Sequence, residues 1–157
     1  MKSENGQSLV ELLVAIGLAA ILLPALLTGF VATRSGRAQQ DQRLKATAYL
    51  REAQEAMHII QANGWENLAN GTFHPVVSGS TWALAQGSET ISGVNFIRQI
   101  VISDVFRDGS GNIVTSGGTV DPSTKLITIS VSWTNPIPSS VTAASYLTRH
   151  TNQSRIE

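Results

Sequence analysis

The sequence contains no cysteine. Disulfides, thiolate metal sites, cysteine nucleophiles and lipid attachment through cysteine are therefore excluded. Charge is also scarce: 14% of the 157 residues are Asp, Glu, Lys or Arg, against about a quarter in ordinary domains. The 11 basic and 11 acidic residues cancel. A nucleic-acid binder carries a basic excess, so no nucleic-acid partner is expected. No G-x-S-x-G, Walker or dinucleotide-binding pattern occurs. His58, His74 and His150 fall in different segments without a helical pair spacing. The expectation is a chain with no catalytic residues, no metal site and no cofactor, and not an enzyme. The length suits one domain of ordinary size.

What the sequence does have is concentrated at one end. No residue between Glu11 and Arg34 is charged. Leu12 to Val31 is a run of 20 residues, mostly Leu, Ala, Val and Ile. At about 1.5 Å per residue it crosses the ~30 Å hydrocarbon layer of a bilayer. A buried core helix is the first alternative, but a chain this short has little other apolar surface to wrap a helix that is apolar on all sides. A cleavable secretory signal is the second, but its apolar region is shorter, about 7–15 residues, and ends in a small-residue cleavage site. The run predicts a membrane helix. Glu11 stands at its head, after the apolar Leu9 and Val10, where a carboxylate either reaches back to the interface or waits for a positive partner in an assembly. Pro24 removes a backbone donor within the run and predicts a kink or local opening. Gly17 and Gly29 add flexibility there.

Beyond the run, Leu50, Ala53, Met57 and Ile60 recur at spacings of three and four, with Ala46 and Tyr49 beside them. An amphipathic helix is predicted to continue to Ala62 and to stop at Asn63-Gly64. From Trp65 the chain turns rich in Ser, Thr, Gly and Asn. Ile127, Ile129, Val131 and Trp133 alternate with Thr128, Ser130 and Ser132, which predicts a half-buried strand. Val94 to Phe106, Val141 to Thr148 and Trp82 to Gln86, extended by Glu89 to Ile91, are the other candidates. Turns are marked at Asp108 to Asn112, Ser116 to Gly118, Asp121 to Thr124 and Asn135-Pro136. The expected arrangement is an antiparallel meander with the helix stripe on one face. Asp104, Asp108 and Asp121 surround a glycine-rich loop of calcium-loop flavour. It lacks the downstream Glu of an EF-hand, and turn chemistry accounts for those aspartates.

The segment Gly6-Gln7-Ser8-Leu9-Val10-Glu11-Leu12 resembles the processing site of type IV prepilins and pseudopilins: a short polar leader ending in Gly, then Ser/Thr-Leu-Val/Ile-Glu and an apolar helix. The leader, Met1 to Gly6, includes the basic Lys2. Many family members have Phe where this sequence has Gln7. The resemblance implies an α+β fold, with a long N-terminal α-helical stem packed on a C-terminal antiparallel β-sheet. It implies a leader over residues 1–6, a transmembrane and assembly helix over 7–33, and a continuing helix plus β domain over 34–157. It further implies cleavage by a prepilin peptidase between Gly6 and Gln7 and N-methylation of Gln7. Glu11 is then expected to pair with the terminal amine of a neighbouring subunit. Part melting of the helix around Pro24 is expected on passage from bilayer to filament. The implied partners are the peptidase, other pilin subunits, the inner-membrane assembly machinery and the lipid bilayer. Arg34 and Arg37 directly follow the helix, which by charge alone favours a cytoplasmic C-terminus. The resemblance implies the opposite, an extracytoplasmic C-terminal domain, and is followed here. The alternative function is a signal-anchored extracytoplasmic binding domain that does not assemble.

Overall fold

A computed structural model of the chain describes residues 5–91 and 95–149, with the side chains of residues 5–8 and of Ser35 outside the description. The expected leader residues Met1 to Glu4, Val94 and His150 thus lie outside the described residues. Two compact units are present, Met1–Asp41 and Gln42–Glu157. One helix, α1 (Asn5–Asn63), supplies most of the first unit and the first element of the second. It is followed by a seven-stranded antiparallel sheet, so the α+β fold is as the sequence predicts.

In the second unit α1 buries Ala46, Leu50, Ala53, Met57 and Ile60. Their spacing of four and three places all five on one helix face. The helix ends at Asn63, where Gly64 adopts φ 153°, a conformation that side chains with a Cβ resist.

The strands are β1 (Gly71–Ser78), β2 (Thr81–Gln86), β3 (Glu89–Ile91), β4 (Phe96–Arg107), β5 (Ile113–Val114), β6 (Thr119–Trp133) and β7 (Ser139–Thr148). The sheet order is β2-β1-β4-β6-β7, with β3 and β5 also bonded to β4. Only β4, β6 and β7 run as the expected meander. The first hairpin is turned round, because β1 and not β2 bonds to β4, through Gly71–Phe73. One edge of β4 pairs with β6 and the other is shared by β3, β1 and β5.

Two differences from the sequence reading have local causes. Strand β1 was not among the expected strands, and Pro75 lies inside it. From His74 onward β1 pairs with β2 alone, and a strand bonded on one side tolerates a proline. Asp121 to Thr124, expected as a turn between strands, lies inside β6. The register jumps there, from Asp104↔Lys125 to Val105↔Asp121, so the turn loops out of a strand that then resumes. Its turn chemistry is intact: the Ser123 amide and the Thr124 hydroxyl both donate to the Asp121 carboxylate.

The core lies between the α1 stripe and the facing side of the sheet, where Phe96, Ile100, Ile102, Ile127, Ile129, Val131 and Trp133 are buried. Phe96 stacks at 5.5 Å from Tyr49 and 5.9 Å from Trp133, ring centre to ring centre. One charged side chain on this face is buried. Arg98 is 5% exposed. It donates to Glu89 at 2.6 Å, to Glu52 at 3.1 Å and to the Tyr49 carbonyl at 3.2 Å. It thereby ties α1 to β3 and β4.

Candidate functional site

The residues singled out from the sequence all lie on the part of α1 in the first unit. The backbone of Asn5, Gly6, Gln7 and Ser8 is helical. The Gly6–Gln7 bond therefore sits in the first turn, whose amides have no intrahelical acceptor. Opening it into the extended form that a protease groove takes costs little. Gln7 and Glu11 are four residues apart, about 6 Å along the axis, or one turn. Gly17 and Pro24 lie further along and are not gathered with them. Helical structure is unbroken across Pro24, and the Thr28 hydroxyl donates back to the Pro24 carbonyl at 2.8 Å. A side chain at Gly17 would meet nothing within 4 Å, so its own chain does not require a glycine there.

From Leu9 to Val31 fourteen large apolar side chains are 55–71% exposed. Within the most apolar window no residue is buried, and the helix is long and apolar enough to cross a membrane. At about 1.5 kcal/mol for each side chain left largely in water, the cost is on the order of 20 kcal/mol. That exceeds the whole net stability of a typical domain, about 5–15 kcal/mol. The surface needs a covering that is either lipid or other helices. The hydroxyls of Thr28 and Thr33 are satisfied by the carbonyls of Pro24 and Gly29, the usual solution in an apolar medium. Glu11 differs: it is exposed and pairs with no other described residue. It stands in the second turn of α1, beyond the first turn in which the helix dipole favours a carboxylate, and its negative charge is available to a cation brought by another molecule. Past the apolar run, the Arg34 guanidinium lies 6.0 Å from the Phe30 ring centre, at the outer limit of cation–π attraction.

The aspartates weighed as a calcium loop are engaged otherwise. Asp108 accepts from the Ser110 and Asn112 amides and the Asn112 side chain, and these bonds, led by Asn112, lower its pKa. Asp104 is lowered by Lys125 at 2.6 Å and by Asn70. The Arg107 guanidinium, 2.6 Å away, leads Thr124 and Ser123 in holding Asp121 down at about 2. No three His, Asp or Glu groups are placed to hold a metal ion among the described residues. His58 is exposed on α1, and His74 faces the Gly87 carbonyl at 3.1 Å.

The sequence reading missed the Arg98 cluster. Its signal was present: Arg98 shares strand parity with Phe96, Ile100 and Ile102, and so had to face the core.

Residues 1–23 match the family model described as the prokaryotic N-terminal methylation motif. This is the type IV pilin signature, carried by proteins that prepilin peptidase processes. No curated protein and no solved structure matches the chain.

Proposed function

We propose that this protein is a structural subunit, a minor pilin or pseudopilin, of a type IV pilus-like filament, and not an enzyme. The observation that carries the reading is Glu11. It stands without a partner among the described residues near the head of a helix whose apolar side chains from Leu9 to Val31 are all exposed, inside the matched motif. Prepilin peptidase cuts between Gly6 and Gln7, and the new Gln7 amine is methylated. Residues 7–33 hold the subunit in the inner membrane with the C-terminal domain outside. The assembly machinery then moves it into the filament.

In the filament the helix exchanges lipid for neighbouring helices, so its apolar surface stays covered throughout. The Glu11 carboxylate meets the Gln7 amine of the adjacent subunit. In a medium of low dielectric, a paired charge is far better placed than two separate ones. The pair fixes the stacking register as a lone polar group does in a coiled-coil seam. Pro24 leaves the Ala20 carbonyl without its helical donor, and supplies the point at which the helix yields in the transfer.

The test is mass spectrometry of the mature N-terminus from membranes. A chain that starts at Gln7 and is one methyl group heavier supports the proposal. An intact Met1 overturns it, and leaves a signal-anchored domain that does not assemble.

A further inference from the structure

We propose that the face of the sheet turned away from α1 is a binding surface for a neutral polysaccharide. The argument starts from where the charges are. On the α1 side of the register jump, the strands carry four charged residues: Glu89, Arg98, Asp104 and Lys125. Arg98 and Asp104 share parity with the buried Phe96, Ile100 and Ile102, and Lys125 shares it with Ile127. Glu89 lies opposite Arg98 and Lys125 opposite Asp104. All four therefore belong to the helix-facing side, and the outward side has none. In a chain of which 14% is charged, the charges of this part of the sheet are all drawn to one side.

Register aligns the outward residues of β4, β6 and β7 into four rows. Two are largely polar: Gln99, Ser130, Thr142 and Ile97, Ser132, Ser140. The others are Val101, Thr128, Ala144 and Ser103, Leu126, Tyr146. Thr72 of β1 extends the third row. Rows recur at about 6.7 Å and strands at about 4.8 Å, so the strip is ~20 Å long and ~10 Å wide between backbone centres.

This chemistry selects its ligand. A phosphate, sulfate or uronate polymer needs opposing cations, and the face has none. A protein interface core is likewise poor in charge and takes up Tyr, but it is also poor in Ser and Ala and rich in Trp, Met and Arg, and in those respects this face differs. Hydroxyls both donate and accept, so a strip of them matches a ligand that is itself hydroxylated, uncharged and extended. Tyr146, 52% exposed at one corner, offers a ring on which a sugar ring stacks. No charge must be stripped of water on contact, so binding escapes the main desolvation cost. A strip this small binds weakly, and gains avidity when copies are arrayed. That gain alone rests on the filament reading.

The experiment is cosedimentation of the full-length protein, in a detergent without a sugar headgroup, with microcrystalline cellulose as the neutral probe. Phosphocellulose is the charged counterpart. The expected result is binding to cellulose that is unchanged between about 0.1 and 1 M salt, where exposed charges are screened. Ser130→Lys, which places a charge at the centre of the strip, and Tyr146→Ala, which removes the ring, each lower it tenfold or more. Helical content and the mature Gln7 terminus stay unchanged in both. Four results overturn the proposal: no binding to cellulose, full binding by Ser130→Lys, preference for phosphocellulose that salt removes, or self-association that Ser130→Lys abolishes. The last makes the face a contact between copies. A failure here with a Gln7 terminus intact leaves the filament reading standing, and a start at Met1 with cellulose binding intact does the reverse.

Discussion

Replacing Arg98 by Met keeps an unbranched apolar stem at a buried position and removes its charge. The guanidinium makes three bonds: to Glu89, to Glu52 and to the Tyr49 carbonyl. Removing one partner of a fully buried pair costs about 3–5 kcal/mol, because the other charge is left stranded. Here the stranded carboxylates are not sealed in. The Glu52 side chain is 44% exposed and that of Glu89 is 24% exposed. Glu52 can turn into water almost freely, Glu89 only in part, and the Tyr49 carbonyl keeps its helical bond. The expected cost is therefore below that range, about 2–3 kcal/mol, close to the worth of one or two hydrogen bonds to a charged group. Glu52→Gln alone removes only the exposed arm and should cost under about 1 kcal/mol. The triple variant Arg98→Met, Glu52→Gln, Glu89→Gln leaves no stranded charge and should recover at least about 1 kcal/mol of the loss. Urea unfolding of the full chain in micelles, read by tryptophan fluorescence, measures all three. The reasoning is refuted by an Arg98→Met variant within about 0.5 kcal/mol of the parent, the usual range of a surface change. It is refuted equally by a Glu52→Gln variant that costs as much as Arg98→Met.

Three further perturbations have defined outcomes. Glu11→Leu should leave the subunit inserted in membranes but lower its recovery in sheared filaments tenfold or more, the worth of one charged hydrogen bond of about 1.5–3 kcal/mol; normal recovery removes the role given to that carboxylate. Asp121, held at about 2, is depressed from an unfolded value of about 3.9. It contributes stability that is fully present above pH 4 and is lost as pH falls through 2, so Asp121→Asn should flatten the pH dependence of unfolding in that window; an unchanged profile contradicts the Arg107 contact. At Gly118 a Cβ would lie 2.6 Å from the Arg107 carbonyl oxygen and 2.7 Å from Val114, whereas at Gly109 it would meet nothing within 4 Å. Gly118→Ala should thus cost about 1–3 kcal/mol by overpacking, and Gly109→Ala should be nearly neutral in the same unfolding measurement.

The elements that could be read in the sequence are those whose signal is local. The α1 stripe repeats at three and four, and the β6 alternation repeats at two, so each face was fixed before any partner was known. The N-terminal motif is local too, but Gly6, Gln7 and Glu11 take their expected roles only from its resemblance to the prepilin processing site. Strand β1 was not legible, because Pro75 is disqualifying in a central strand and harmless in a one-sided one, and only the sheet order decides which applies. Nor could Asp121-Pro122 show whether it ends a strand or loops out of one, since the local bonds are the same in both. The β4 run shows apolar residues at both parities, Ile97 and Val101 as well as Ile100 and Ile102, so its inward side could not be chosen until it was paired with β6. With that side chosen, the scarcity of charge becomes a statement about surfaces. The charges of β3, β4 and β6 on the α1 side of the register jump all share the helix-facing side. Beyond the jump Arg107 and Asp121 are tied to one another, and Asp108 is tied to Ser110 and Asn112 of its own turn. What is left uncharged is the apolar stretch of α1 and the outward face of the sheet. Uncharged surface is the kind that is cheapest to take out of water. In a chain with so few charges, these two places are the ones that covering by another body costs least.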